Sequence, residues 1–414
     1  MAKSFMFALL FAYLDPGSGS ALVGTLIAVG GAAMFSLKSF IYRLIRKDAP
    51  AGAASSKPQD IAIFSEGRNY WGTFRPVVDE LIERKIHFSY YTMDLHDPAL
   101  LIDSEYMHSK LYDSRKSVSF PRLSNITAKV LLATTPNIGT CGYPIKRSPG
   151  VCKMFHVFHA FADCSAYHIG SLDSYDAVFM VGPHQEKPIR EVEKARGLGE
   201  KELLTAGLPY FDAQYNARSS ESSMRHDLPR TVLVAPSWGA KGCLAEYGTE
   251  FLSDLAEAGY SVIVRPHPQS YIAEPQFIAE CKAKTARYSN IVWDDAVVGT
   301  ASMEKSDILV SDTSSIRFDY AFLYEKPVIT LDIPREKQAE YEGQFQSEIW
   351  TDAVAPMLGR VLDHSGVASL PQTVAEILDA GSSSVRKLRD CTIANLGCSS
   401  KVIVDVMVKE AEHV

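Results

Sequence analysis

Side chains able to do chemistry gather at three places in this 414-residue chain. The first is "RPHP", residues 265–268, where His267 stands between Pro266 and Pro268 directly after "VIV". Proline fixes its own φ and pushes the preceding residue out of helical geometry, so this imidazole is offered from an extended segment. With an ordinary pKa of ~6.5 it either donates to a phosphate oxygen or accepts a proton near neutrality. A structural histidine bonded to a backbone carbonyl fits the same residues. The second place is "SDTSS", Ser311 to Ser315, just ahead of the apolar-periodic "IRFDYAFLYE". Hydroxyls at a helix start either cap it or, with its free N–H groups and positive dipole end, hold an anion; both uses draw on the same amides. The third is "KMFHVFHAFADCSAYHIG" with His156, His159 and His168. His156 and His159 would share a face if the segment were helical. A metal pair there lacks an HExxH or carboxylate pattern, a single histidine as general base needs no such partner, and all three also suit structural roles.

The elements that must position these residues alternate. "IAIFSE", "HFSYYTMD", "KVLLATTP" and "AVFMVGP" read as strands, and the apolar spacing of Phe74, Val77, Val78 and Leu81 predicts a helix after the first. After the polar break at 216–230 the pattern restarts with strands "TVLVAP", "SVIVRPHP", "NIVWDD", "DILVSD" and "KPVITLD", and helices between them. Such alternation implies α/β architecture with two doubly wound parallel sheets. In such sheets ligands gather outside the carboxyl ends of the strands. "PSWG" with Pro236 and Ser237, "RPHP" with Arg265 and His267, and "SDTSS" with Asp312 and Thr313 all sit at predicted strand ends. The second half therefore reads as a ligand-binding domain.

Composition narrows the classes. A net charge of -7 and 46% hydrophobic content fit a globular protein and speak against a general nucleic-acid binder. Seven cysteines without CxxC spacing read as core thiols in a reducing compartment. There is no Walker A loop, no GxGxxG after the first strand and no GxSxG elbow, which sets aside Walker kinases, dinucleotide oxidoreductases and ordinary α/β hydrolases.

Residues 20–37 are uncharged, about the ~20 residues a membrane-spanning helix requires. Lys38, Arg43, Arg46 and Lys47 follow, and such a flank stays cytoplasmic. Residues 1–14 read either as half of a membrane hairpin or as the start of a signal peptide. The expected layout is a membrane anchor over 1–47, a linker over 48–60, an α/β domain over 61–225, a second over 226–365 and a helical segment over 366–414.

"RPHP" followed by "SDTSSIRFDYAFLYEKPVI" resembles the signature of the CDP-glycerol glycerophosphotransferases, which build teichoic acid-type polymers. "LVAPSWG" looks like that family's "APTW", and "GLPYFD", 207–212, is similar to its "GxPRxD", with Tyr210 in place of arginine. The resemblance implies a glycosyltransferase B-type fold, with the CDP-linked donor on the second domain near Pro236, Ser237, Arg265, His267, Ser311, Asp312, Thr313, Ser314 and Ser315. It implies a base in a "WHG" motif, matched here by "VFHAF", so that His159 takes the role with Phe158 and Ala160 as its altered neighbours. The activity implied is transfer of glycerol phosphate, or a related polyol phosphate, from CDP-glycerol to a hydroxyl of an envelope glycan or lipid-linked acceptor. It would occur at the cytoplasmic face of the inner membrane, with CMP leaving and no tightly bound cofactor expected; no carboxylate cluster at the second-domain strand ends forms an obvious metal site, which leaves a divalent-ion requirement open. Two alternatives keep the fold: a UDP-sugar glycosyltransferase or epimerase, and a membrane-tethered, nucleotide-binding scaffold without turnover.

Overall fold

The computed structural model describes residues 60–414 apart from 117, 141, 163, 218–228, 240–241, 297–298, 334–346 and 381–382. The described residues all lie in one compact unit, Pro58–Val414. The expected span at 20–37, its basic flank and the alternatives for residues 1–14 lie outside the described residues. Among the described residues no helix is long and apolar enough to cross a membrane.

Two parallel sheets form the frame. The first contains β1 (Ile61–Ser65), β2 (Phe88–Thr92), β3 (Met107–Leu111), β4 (Ala128–Ala133), β5 (Val151–Val157), β6 (Ala177–Met180) and β7 (Glu202–Thr205), in the order β3-β2-β1-β4-β5-β6-β7. The second contains β8 (Thr231–Ala235), β9 (Ser261–Val264), β10 (Ile291–Trp293), β11 (Ile308–Ser311), β12 (Val328–Leu331) and β13 (Gly359–Leu362), in the order β10-β9-β8-β11-β12-β13. Central strands such as β1 and β11 are buried at every position, because helices cover both faces. The edge strand β3, "MHSKL", is only partly buried and carries no unbroken apolar run, so periodicity did not single it out. β5 corrects the helical alternative for the histidine-rich segment. His156 belongs to this strand, paired with Ala133 of β4, and His159 lies just beyond its end.

In each sheet the strand order reverses once, between β1 and β4 and between β8 and β11. The loops leaving those two neighbours must separate, and the crevice they leave is where ligands bind in open α/β sheets. The helices used below are α1 (Trp71–Glu83), α2 (Pro209–Ala217), α3 (Cys243–Tyr247), α4 (Ile316–Tyr324) and α5 (Ser399–His413). Phe74, Val77, Val78 and Leu81 of α1 are all buried, as their spacing predicts.

The lobes meet in an aromatic cluster. Phe161, two residues past His159, sits with ring centroids 5.1 Å from Phe211 of α2 and 6.0 and 5.3 Å from Phe318 and Phe322 of α4. Beside it the Tyr210 hydroxyl donates to Asp319 at 2.6 Å. The chain then returns to the first lobe. Ala394 N donates to Val181 O at 3.0 Å, passing so close that a Cβ on Gly182 would lie 1.8 Å from Thr392 O. Asp212 of "GLPYFD" accepts from Gly397 N at 2.7 Å, from Ser399 N at 2.6 Å and from the Ser399 hydroxyl, anchoring the start of α5. Ile403, Val404 and Met407 of α5 then complete the core around Phe74 and Val77.

The expectation of buried cysteines holds for Cys164, Cys243 and Cys281, whereas Cys152, Cys391 and Cys398 are exposed. Cys141 lies outside the described residues. The exposed three sit on a partly exposed stretch of β5 and around the returning segment, places that apolar patterning does not mark.

Burial holds the Asp319 carboxyl up at about 6, with the Tyr210 hydrogen bond pulling the other way. An acid raised on folding contributes stability that is full below its unfolded pKa and lost as pH rises through about 6. Asp319→Asn keeps an acceptor for Tyr210 and removes the charge. It is expected to stabilise the chain at pH 8 by ~1–3 kcal/mol and to bring little gain at pH 4. Urea unfolding midpoints at the two pH values check this; equal gains would contradict the assignment.

Candidate active site

In the second lobe the crevice between β8 and β11 is built around Asp312. This carboxylate is fully buried and accepts from Ser237 N at 2.9 Å, the Ser237 hydroxyl at 2.5 Å, Cys243 N at 2.9 Å and Ser314 N at 3.2 Å. It thus ties together the loop after β8, the start of α3 and the approach to α4. Ser311, also buried, donates to Ala235 O at 2.6 Å across the same pair of strands. Of the "SDTSS" residues these two frame the site from below.

Thr313, Ser314 and Ser315 behave differently. Ser315 is the residue before α4, yet its hydroxyl makes no capping hydrogen bond. No hydrogen bond from the three hydroxyls is formed among the described residues, and they stand half-buried to exposed at the positive end of a nine-residue helix. Three open donors at this end, with their backbone pinned by Asp312, are what a phosphate group would meet.

His267 lies after β9, next to β8, and is exposed. The Gln269 amide donates to its Nδ1 at 3.1 Å. An imidazole nitrogen that accepts a hydrogen bond is unprotonated, so the neutral ring carries its proton on Nε2. Desolvation lowers the His267 pKa, which favours this neutral form. The prolines and the Gln269 amide together orient the neutral ring with Nε2–H as its donor. Arg265 is mostly buried, and its guanidinium donates to Asp294 at 2.8 Å. Pro266, beside it, is buried, and so is the loop residue Pro236 after β8.

In the first lobe the crevice between β1 and β4 is bounded by Glu66, directly after β1, and Thr134, directly after β4. Thr134 Oγ1 lies 3.0 Å from His159 Nδ1. The hydroxyl can accept from Nδ1–H or donate to a bare Nδ1; in the tautomer protonated on Nδ1 the Nε2 lone pair is left as a base. Burial lowers the His159 pKa, so the ring is neutral at pH 7. The Tyr70 ring meets it edge-on at 5.1 Å. His156 has a different environment: it is fully buried, its Nε2 is 3.0 Å from Tyr167 Oη, and desolvation pushes it down to about 3. His168 is exposed in the loop beyond, where its carbonyl accepts from Ser171.

Ser237, Asp312 and Ser314 are therefore brought together by direct bonds, while His159 stands on the other lobe. Among the described residues no hydrogen bond or ring contact joins His159 to His267. Sequence reasoning passed over Glu66, Tyr70, Thr134 and Tyr143. The strand-end rule that selected the second-lobe motifs would have selected Glu66 in "IAIFSE" and Thr134 in "KVLLATTP" had it been applied to the first lobe as well.

Residues 167–344 match the family described as CDP-Glycerol:Poly(glycerophosphate) glycerophosphotransferase. The resemblance read from the motifs stands. The matched stretch contains His267 and Ser311 to Ser315 and begins after His159. No curated protein matches the sequence significantly. Among solved structures, the wall teichoic acid polymerase TagF is similar, with 12% identity over 86% of this chain and 90% of that one and a TM-score of 0.53. The UDP-GlcNAc 2-epimerase of Neisseria meningitidis, bound to UDP-GlcNAc, is similar at 13% identity over 84% and 99% of the two chains, with a TM-score of 0.53. That of Methanocaldococcus jannaschii reaches 12%, 84%, 99% and 0.54. At these identities the likeness concerns the fold, two facing α/β lobes of the glycosyltransferase B kind.

The tautomer of His267 is open to direct measurement. Nitrogen-15 NMR of the free protein should find Nε2 protonated and Nδ1 bare at pH 7, with a titration midpoint below the ordinary ~6.5. A ring protonated on Nδ1, or a midpoint above that value, would remove the donor reading.

Proposed function

We propose that this chain transfers glycerol phosphate, or a related polyol phosphate, from a CDP-linked donor to a hydroxyl of an envelope glycan or lipid-linked acceptor at the cytoplasmic face of the membrane. The observation that carries the proposal is the set of open hydroxyls at Thr313, Ser314 and Ser315, pinned by buried Asp312 within the family-matched stretch. The donor diphosphate would rest there, with Pro236, Ser237 and Arg265 shaping the floor and His267 directing Nε2–H at a phosphate oxygen.

The reaction follows from the two crevices. The acceptor oxygen attacks the phosphorus that bears glycerol, and its proton passes to His159 Nε2. The P–O bond to the nucleoside monophosphate breaks, and CMP leaves with that bridging oxygen. Negative charge moves onto phosphate oxygens during this step, so fixed donors there supply much of the acceleration. Thr134 is a positioning residue that holds Nδ1 of His159 and so orients Nε2. An apolar segment at 20–37 would hold the acceptor surface close, as its length and basic flank suggest.

Release of CMP from CDP-glycerol tests the reading, with isolated envelope glycan and membrane lipid extract as acceptors. His159→Asn is expected to lower kcat about 10²–10⁴-fold, and His267→Asn about 10²–10³-fold. The wild-type kcat/KM should fall on the acid side with a midpoint below ~6.5, because His159 must be neutral to act. In a thermal-shift comparison CDP should stabilise the protein more than UDP. No CMP release, with stronger stabilisation by UDP, would favour a nucleotide-sugar enzyme; binding of CDP without any turnover would leave a scaffold.

A further inference from the structure

A second built cluster lies beside His159. Tyr143 donates its hydroxyl to Glu66, and burial, together with the negative charge of Glu66 nearby, raises the Tyr70 hydroxyl's pKa. Tyr70 is the residue whose ring edge meets His159 at 5.1 Å. Glu66, Tyr70 and Tyr143 are each half-buried, so the cluster reaches solvent. Glu66 and Tyr70 come from the segment after β1 and Tyr143 from the loop between β4 and β5, so the cluster is assembled across the first-lobe switch point, next to Thr134 and His159.

The loop that presents Glu66 is held rigidly. Ser65 Oγ accepts from Gly67 N at 3.1 Å, and Gly67 adopts φ 146°, a left-handed value that side chains rarely take. A Cβ at Gly67 would lie 2.5 Å from Asp94 Cβ. Asp94 in turn clamps Arg68, accepting from Nε at 2.7 Å and Nη2 at 3.0 Å. The loop's own cation is thereby neutralised, and a carboxylate and two phenols face the crevice. That chemistry rejects a phosphate monoester by like charge and accepts vicinal hydroxyls, which donate to a carboxylate while their C–H faces pack on aromatic rings.

We propose that Glu66, Tyr70 and Tyr143 form the acceptor subsite, which takes the neutral diol end of a polyol or sugar and presents one hydroxyl to His159. This rests on the transfer reading above for its direction and adds the class of acceptor. It places recognition on Glu66 and Tyr143 and leaves the proton to His159.

Saturation-transfer NMR on the full chain measures this without a donor, using methyl β-glucopyranoside and glycerol as neutral probes and glycerol 3-phosphate as the charged one. The neutral probes should show saturation and the phosphate ester little. Signal for glucoside alone would assign a sugar terminus, and for glycerol alone a polyol terminus; both support the subsite. Glu66→Gln should reduce the neutral signals at least fivefold and Tyr143→Phe at least twofold. In the transfer assay Glu66→Gln should raise the acceptor KM at least tenfold and the CDP-glycerol KM less than twofold. Neutral signals absent in the wild type, retained in both variants, or matched by glycerol 3-phosphate would overturn the proposal. If the wild type releases no CMP, the transfer reading falls, and the NMR comparison still decides the subsite.

Discussion

Phe161 wedged between Phe211, Phe318 and Phe322 is the contact on which the rest of the arrangement depends. The loop that ends in Phe161 carries His159, and the helix that carries Phe318 and Phe322 begins directly after the open serines. Aromatic rings bury large areas with few rotamers, so one cluster sets the spacing of two loops on different sheets at modest entropic cost. Tyr210 and Asp319 add a directional bond at its edge. The chain's return through Gly182, Ala394 and Asp212 then ties α5 onto the first lobe, so the lobes are bridged a second time.

Around that junction the two crevices divide the labour by the polarity of their fixed groups. The second presents donors: open hydroxyls, a helix start and the Nε2–H of His267. The first presents acceptors: the Glu66 carboxylate and the basic nitrogen of a neutral His159. In the second, buried Asp312, satisfied by several bonds, supports the open serines. In the first, Ser65 and Asp94 hold Gly67 and Arg68, the residues that follow Glu66, and Glu66 itself accepts from Tyr143. Placing the strain and the satisfied bonds one layer below the ligand is how a rigid site is kept without blocking it.

Much of this was legible in the sequence where local rules govern. The helix stripe at Phe74, Val77, Val78 and Leu81, the strands that end in "PSWG", "RPHP" and "SDTSS", and the restart after the polar break all follow from period and turn chemistry. The histidine-rich segment was ambiguous because His156 and His159 are three apart, which suits a helix, while flanking Phe and Val suit a strand. Pairing with β4 resolved it, and pairing is not local. The Asp312 hub and the Tyr210–Asp319 bond join residues 75 and 109 positions apart, beyond what spacing reveals. Tyr210 stood out as a departure from the family's arginine; its role as an interlobe donor needed the fold. Gly207 and Asp212 of the same motif hold the returning chain, so that motif marks a structural crossing.

The central claim is that the donor phosphates rest at the serine cluster while the acceptor faces His159 across the aromatic junction. A crystal structure of the chain with a non-transferable phosphonate analogue of CDP-glycerol tests it most directly. The account predicts the glycerol-bearing phosphorus within hydrogen-bond reach of the Ser314 or Ser315 hydroxyl and of His267 Nε2, with its open side toward His159. A diphosphate lodged against Glu66 in the first-lobe crevice, or bound with His267 turned to solvent, would contradict it.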